Sequence, residues 1–240
     1  LTFTFFILFC VTVSGADIKS LSTDKASYSP LDTVTFNLEL NTGFEGNKFV
    51  ITILHLIDTV EIIEIIPDGG LNITWKWIAP AEDYKGYLAE VNFLNDNTLI
   101  EKGTIAIDVS SEWKKFPRYG FLSKFGFKSD TEINNIISNL NRHHINGIQF
   151  YDWQYKHHLP LKGSPESPAS TWLNIANETV YFSTVQKYID AAHSYNMKAM
   201  NYNLLYGAYQ DARYDGADDK WRLFKDNQHQ TPDFHDLPDN

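Results

Sequence analysis

The chain has 240 residues, of which 43% are hydrophobic and 15% aromatic, so it can bury the core of one or two folded domains. Thirty acidic residues against twenty basic ones give a formal net charge of −10. That sign is wrong for neutralising phosphates or an anionic membrane, so neither nucleic acid nor a membrane is expected as a partner of the mature chain. Many aromatic rings on an acidic protein favour neutral, hydroxyl-rich ligands, because rings stack on sugar faces and carboxylates accept hydroxyl protons.

The first 16 residues are typical of a secretory signal. Residues 1–13 are almost entirely apolar, and the small residues 14–16 follow before the charged Asp17. The run is shorter than the roughly 20 residues of a membrane-spanning helix. Neither an initiator methionine nor a basic segment precedes it, so we expect the start of the signal to be missing. The pattern predicts a secreted or periplasmic bacterial protein.

The single cysteine, Cys10, lies inside this apolar run and follows Phe9. A lipid-anchored cysteine requires a small residue before it, so a lipid anchor is not expected. Once residues 1–16 are removed no cysteine remains, which excludes disulfides and thiolate metal sites from the mature chain.

Residues 17–110 have the pattern of a β-sandwich. Residues 34–40 alternate apolar and polar side chains, as a strand with one buried face does. Further strands are predicted at 49–56, 60–66, 71–77, 86–94 and 99–109, with turns at 67–70 and 95–97. Short strands at regular spacing favour an immunoglobulin-like β-sandwich. Such modules are usually supports, and sugar binding by this one is the alternative.

Residues 111–240 change to an alternation of strands and helices. Residues 112–118 form the predicted linker, and strands are predicted at 119–125, 145–153 and 198–205. Ser129 and Glu132 form a capping box before a first helix with an apolar stripe at 133, 136, 137 and 140, and a second helix is predicted over 183–196 with 185, 188, 189 and 192 on one face. This order predicts the first three β/α units of a (β/α)₈ TIM barrel, with a doubly wound sheet as the alternative.

The predicted strand ends are rich in aromatic and hydrogen-bonding side chains. In parallel α/β folds ligands bind at the carboxyl ends of strands. The second and third strands of this region end in segments 149–158 and 201–209, which combine Trp and Tyr with Asn, Gln, Asp and His. Such a set suits a cleft that stacks on pyranose rings and binds their hydroxyls, and the alternative is that the same side chains fill an interior.

Asp152 is the obvious candidate for a catalytic carboxylate. Glycoside-cleaving enzymes need two carboxyl groups on either side of one bond. No other acid of this region is as well placed, and Glu166, Asp211, Asp215, Asp218 and Asp219 lie in polar loop segments. We therefore interpret Asp152 as a hydroxyl-binding or scaffolding group.

No metal site or cofactor is predicted. His157 and His158 are adjacent and would diverge on an extended chain, and no His-x-x-x-His spacing accompanies them or the later His229, His235 and Asp236. Calcium on the acidic loop 211–219 is conceivable, but such loops are usually only solvated. A Gly-x-Ser-x-Gly nucleophile motif is absent from the sequence.

Several long segments occur in the order found in glycoside hydrolase family 66. They are RYGFLSKF at 118–125, NGIQFYDWQYKHH at 146–158, PASTW at 168–172, YFSTV at 181–185, KAMNYNLLYGAY at 198–209 and DFHDLP at 233–238. The chain resembles that family, which contains endo-dextranases and cycloisomaltooligosaccharide glucanotransferases, over about residues 113–240. The resemblance implies action on α-1,6-glucan or isomaltooligosaccharides by a retaining mechanism, with an Asp nucleophile and a Glu acid/base from strands later than the third.

On this resemblance, both catalytic carboxylates are expected beyond Asn240, and the 240-residue chain alone is expected to be inactive. The implied substrate-binding residues, with roles inferred from residue type, are Asp152, Trp153, Gln154, Tyr155, His157, Tyr202, Asn203 and Tyr206. An endo-dextranase is the first functional hypothesis. The alternatives are a cycloisomaltooligosaccharide glucanotransferase, a non-catalytic glucan-binding protein and a structural adhesion module.

Overall fold

The computed structural model describes residues 18–42, 48–95, 97–204, 207–221 and 224–228. These residues form mostly β-sheet with few helices. The chain divides into two compact units, Leu1–Pro117 with Asn141–His144 and Arg118–Leu140 with Ile145–Asn240.

Seven strands make up the first unit. They are β1 (Ile18–Thr23), β2 (Thr33–Leu40), β3 (Lys48–His55), β4 (Asp58–Ile65), β5 (Asn72–Ile78), β6 (Lys85–Asn95) and β7 (Thr98–Val109). One sheet has the order β1-β2-β5 and the other the order β4-β3-β6-β7, and all neighbours are antiparallel. The strands predicted from the alternating pattern are therefore present, with bounds shifted by at most two residues.

A single hydrophobic core lies between the two sheets. In β2 the alternate residues Val34, Phe36 and Leu38 are buried, and Phe36 stacks on Trp75 of β5 with ring centroids 4.9 Å apart. Strands β3, β6 and β7 supply further buried side chains of the same cluster. Each fully buried large apolar side chain contributes about 1.5–3 kcal/mol to the stability of the fold. The core therefore holds the two sheets together as the layers of a sandwich.

The second unit alternates strands and helices around a parallel sheet. Its elements are β8 (Tyr119–Leu122), α1 (Asp130–Arg142), β9 (Gly147–Phe150), β10 (Thr171–Leu173), β11 (Thr179–Tyr181), α2 (Phe182–Ser194) and β12 (Lys198–Asn201). The sheet has the order β12-β9-β8, with β9 parallel to both neighbours. Helix α1 joins β8 to β9, and α2 lies between β9 and β12 in the chain.

The three parallel strands are shorter than the predicted ones, because each ladder stops after four residues. No strand was predicted between the second strand and the second helix, whereas β10 and β11 pair there as an antiparallel hairpin. Strands of three residues are too short to produce a recognisable periodicity in the sequence.

Both helices have the predicted starts and faces. Before α1, the Ser129 backbone N–H donates to Glu132 Oε2 at 2.8 Å and the Glu132 backbone N–H donates to Ser129 Oγ at 3.3 Å, which confirms the capping box. In α2 the side chains of Val185, Tyr188 and Ala192 are buried on one face. Among the described residues, no helix combines the length and the hydropathy needed to cross a membrane.

Packing of α2 determines which face of the parallel sheet is covered. The ring of Tyr188 meets Phe150 of β9 edge-on, with centroids 6.4 Å apart. Successive residues of a strand point to opposite faces, so Gln149 and its register partners Phe121 and Met200 lie on the other face. Phe121 is 66% exposed there, which places an aromatic surface on the sheet face away from the helix.

Candidate functional site

The carboxyl ends of β9 and β12 bring the two aromatic segments together. Phe150 and Asn201 are register partners at the ends of these strands. Just beyond them, the Trp153 indole N–H donates to Asn201 Oδ1 at 2.7 Å, and the ring centroids of Tyr151 and Tyr202 lie 4.5 Å apart. Trp153 and Tyr202 therefore lie at the same edge of the sheet, each half-buried.

The aromatic surface extends to β8, the strand on the other side of β9. The ring centroid of Phe121 on β8 lies 5.5 Å from that of Tyr151, so Phe121, Tyr151 and Tyr202 form a row across three neighbouring strands. Phe121 and Tyr151 were not among the predicted site residues. The register of β8 against β9 aligns them, and no register can be read from the sequence alone.

Asp152 lies where β9 ends and the chain turns. Its φ of 54° is in the left-handed region, which a non-glycine residue adopts only when its surroundings hold it there. Its side chain is half-buried, and burial raises the pKa of the carboxyl, while His157 nearby acts in the opposite direction. The backbone around it is held by the β10–β11 hairpin, because Asn174 Nδ2 donates to the Asp152 carbonyl at 2.8 Å.

The next two candidate residues differ in exposure. The Gln154 side chain is fully buried, and within the described part of the chain neither atom of its amide group has a hydrogen-bond partner. Its predicted contact with a ligand therefore requires the side chains around it to move. Tyr155 is half-buried, and its ring centroid lies 5.5 Å from Lys156 Nζ and 5.1 Å from Lys162 Nζ.

His157 stacks on a tyrosine from the segment after β12. Its ring is 5.8 Å from that of Tyr209, with 18° between the planes. Burial lowers the pKa of His157, partly offset by Asp152, so the imidazole is neutral at neutral pH. Its buried Nδ1 has no hydrogen-bond partner among the described residues. A neutral imidazole of this kind can donate to or accept from a hydroxyl group.

A cluster of charged side chains ties the two segments together beside this stack. Lys156 Nζ lies 2.7 Å from Asp211 Oδ2 and 2.6 Å from Asp215 Oδ2. The Tyr209 backbone N–H donates to His158 Nδ1 at 3.3 Å, so the hydrogen of a neutral His158 is on Nε2, which donates to Asp215 Oδ2 at 2.9 Å. We refer to Lys156, His158, Asp211 and Asp215 as the lysine cluster.

The lysine cluster contains a set of potential metal ligands. One atom each of His158, Asp211 and Asp215 lie within 4.8 Å of one another. The ammonium group of Lys156 bonds to both carboxylates, and this hydrogen bonding lowers the pKa of Asp215. The ammonium group of Lys156 therefore balances the negative charge of these carboxylates, and a metal ion would have to displace this ammonium group.

The remaining predicted residues are placed as follows. Asn203 is exposed beyond the end of β12. Tyr206, and the histidines and aspartate considered as metal ligands, His229, His235 and Asp236, lie outside the described residues.

Comparisons with known proteins identify the family. The family model for glycosyl hydrolase family 66 matches residues 23–240. Two proteins of Niallia circulans named cycloisomaltooligosaccharide glucanotransferase are 32% and 30% identical to the chain over 225 residues. These matches cover 88% of this chain and 22% of each relative.

A solved structure shows the same similarity in three dimensions. The crystal structure of a Paenibacillus cycloisomaltooligosaccharide glucanotransferase complexed with cycloisomaltoheptaose aligns with a TM-score of 0.79 and 33% identity. The alignment covers 90% of this chain and 32% of that chain. The family match over residues 23–240 and these relatives together show that the chain belongs to glycoside hydrolase family 66.

Proposed function

We propose that the protein to which this chain belongs cleaves α-1,6-linked glucan, and that the segments after β9 and β12 bind its glucose units. The observation that supports this most directly is the meeting of Trp153 with Asn201 and of Tyr151 with Tyr202 at one edge of the sheet. Rings beside amide and carboxylate groups match a pyranose, which has apolar faces and hydroxyls around its rim.

The proposed binding residues divide by chemistry. Aromatic rings provide stacking surfaces, while amide, carboxylate and imidazole groups exchange hydrogen bonds with hydroxyls. The stacking group comprises Trp153, Tyr155, Tyr202 and Tyr206, and the hydrogen-bonding group comprises Asp152, Gln154, His157 and Asn203. Gln154 joins the second group only if binding exposes its buried amide.

The proposed architecture follows from the strand order. Strands β8, β9 and β12 are parallel, lie side by side in chain order and are separated in the chain by helices. This order supports the proposal that they are the first strands of a (β/α)₈ barrel. The three-plus-four arrangement of antiparallel strands supports an immunoglobulin-like sandwich over residues 17–110, with 111–240 as the start of the catalytic domain. Residues 1–16 remain the proposed signal for secretion.

The proposed reaction retains configuration at the cleaved carbon. An Asp carboxylate from a later strand attacks C1 of a glucose unit while a Glu protonates the departing O6. Water then attacks C1 of the glycosyl-enzyme in a dextranase, whereas a sugar hydroxyl attacks it in a glucanotransferase. The names of the relatives favour transfer, and endo-hydrolysis is the second candidate.

Binding by the described residues can be tested with a fluorescence titration. We expect isomaltooligosaccharides to bind the chain and Trp153→Ala to weaken binding by about tenfold, since truncating a tryptophan that contacts a ligand costs on the order of 1–2 kcal/mol and about 1.4 kcal/mol is tenfold. Trp221, which is 75% exposed and was not assigned to the site, provides the matched control Trp221→Ala. Equal affinity of the Trp153 variant and the parent would contradict the proposed site.

The reaction outcome is tested on the enzyme expressed from its complete coding sequence. Dextran would be digested and the products separated by size and by the presence of a reducing end. Linear products support hydrolysis, and cyclic products without a reducing end support transfer. Intact dextran with both carboxylates of the later strands present would contradict the proposed activity.

A further inference from the structure

The β10–β11 hairpin carries two buried side chains that donate to the turn after β9. Trp172 is 3% exposed and Asn174 is 5% exposed. The Asn174 Nδ2–H donates to the Asp152 carbonyl at 2.8 Å, and the Trp172 indole N–H donates to the Trp153 carbonyl at 2.8 Å. Two consecutive carbonyls that leave the β9 ladder are thus bonded by side chains from one hairpin.

The turn needs these partners because it departs from the sheet. Asp152 adopts a left-handed φ of 54°, so its carbonyl cannot continue the parallel ladder. A buried carbonyl without a partner is unfavourable, and Asn174 supplies the missing donor. The same turn directs Trp153 towards β12, where its indole N–H donates to Asn201 Oδ1.

Both donors are themselves held in place. Asn174 Oδ1 accepts from the backbone N–H groups of Ala176 at 3.0 Å and Glu178 at 2.8 Å, which fixes the amide group and aims Nδ2 at the turn. The Trp172 ring lies edge-on to Trp153 at 5.9 Å and contacts Phe182 at 6.0 Å. The hairpin therefore presents its two donors from a fixed frame.

We propose that Trp172 and Asn174 are positioning residues, which hold the backbone of residues 152–153 so that Trp153 presents its ring at the end of β12. Neither residue needs to contact glucan. The part of this proposal that concerns glucan binding rests on the proposed function. The hydrogen bonds from Trp172 and Asn174 to the turn do not depend on that function.

Two conservative variants separate the hydrogen bonds from the packing. Asn174→Asp keeps an oxygen for the Ala176 and Glu178 N–H groups but has no donor for the Asp152 carbonyl. Trp172→Phe keeps an aromatic ring but lacks the indole N–H. Asn177→Gly is the matched control, because Asn177 lies in the same hairpin turn with a left-handed φ of 58°, which glycine adopts freely.

The first measurement is the indole N–H signal of Trp153 in the ¹⁵N-tryptophan-labelled chain, assigned by its loss in Trp153→Phe. We expect both positioning variants to shift this signal and to accelerate its exchange with water by about tenfold, which corresponds to about 1.4 kcal/mol of lost protection. The control variant Asn177→Gly should leave the Trp153 signal unchanged. If Asn174→Asp does not fold, Trp172→Phe carries the test, and an unchanged Trp153 signal in a folded positioning variant would overturn the proposal.

The second measurement is the kinetics of the complete enzyme on dextran. We expect KM to rise by about tenfold with kcat within about twofold, because the change weakens a binding contact that is the same in the ground state and in the transition state. A shifted indole signal with unchanged KM would overturn the role in glucan binding, while the hydrogen-bonded turn would stand. A raised KM with an unchanged signal would overturn the positioning mechanism.

Discussion

At the scale of single residues, Lys156 determines how the charges near the candidate site are balanced. Its ammonium lies between two carboxylates from the segment after β12, while its neighbours Tyr155 and His157 are proposed to meet the ligand. A charge-assisted hydrogen bond is roughly twice as strong as a neutral one. Lys156 therefore links the segment after β9 to the segment after β12.

We predict that Lys156→Gln loosens the segment 207–217. Glutamine retains a hydrogen-bond donor but not the charge, so amide hydrogen exchange in this segment should rise on the order of tenfold. Lys162→Gln is the control, since Lys162 lies near the same Tyr155 ring but belongs to an exposed part of the loop. Equal exchange in the two variants would rule out this role of Lys156.

The same contact makes the protection of segment 207–217 against amide hydrogen exchange depend on pH. The hydrogen bonds from Lys156 and His158 lower the pKa of the Asp215 carboxyl. An acid with a lowered folded pKa contributes stability that is complete above its unfolded pKa of about 3.9 and is lost as the pH falls through the folded value. In strong acid, amide hydrogen exchange in segment 207–217 should therefore be as fast in the parent chain as in Lys156→Gln.

At the scale of elements, helix α1 shows how a short local motif specifies a boundary. Ser129 and Glu132 exchange hydrogen bonds before the first turn, and backbone and side-chain bonds from Ser129 lower the pKa of Glu132. The apolar face of the helix then follows, with Ile133 and Ile137 buried. Both features depend only on residues close in sequence, which is why the start and the face of this helix could be predicted.

We predict that Ser129→Ala destabilises the second unit by about 1 kcal/mol, because the first turn loses the acceptor of its N-cap. Urea unfolding followed by circular dichroism would measure the change. Ser138→Ala is the matched control within the same helix, where Oγ donates to the Asn135 carbonyl at 3.2 Å. Alanine has the higher helix propensity, so this control should be neutral or slightly stabilising, and equal losses in the two variants would argue against the cap.

At the scale of the whole molecule, the described strand ends supply binding groups but only one carboxylate. Asp152 is the single acid within three residues of the carboxyl ends of β8, β9 and β12 in the described part of the chain. Retaining cleavage needs a nucleophile and an acid/base about 5–5.5 Å apart. The chain also spans 22% of the length of the curated relatives that it matches.

We predict that the purified 240-residue chain forms neither linear nor cyclic products from dextran, even if it binds isomaltooligosaccharides. The complete enzyme on the same dextran serves as the positive control. Release of reducing sugar that is abolished by Asp152→Asn would show that Asp152 is catalytic and would overturn its assignment as a binding or scaffolding group.

Features that depend on residues close together in the chain could be predicted from the sequence. Alternating side chains specified the strands of the sandwich, the capping box and apolar stripe specified α1, and the segments at 118–125, 146–158 and 198–209 specified the family. These signals are carried by residues within a few positions of one another, so no knowledge of distant contacts was required.

The arrangement of the candidate site could not be predicted in the same way. The full burial of Gln154 and the bonds of Lys156 to Asp211 and Asp215 depend on residues far apart in the chain, and the β10–β11 hairpin pairs strands of only three residues. A strand of three residues has no periodicity of its own, and charges 55 and 59 positions apart give no local signal. Register and burial are set by packing between elements, and packing is specified by the folded chain as a whole.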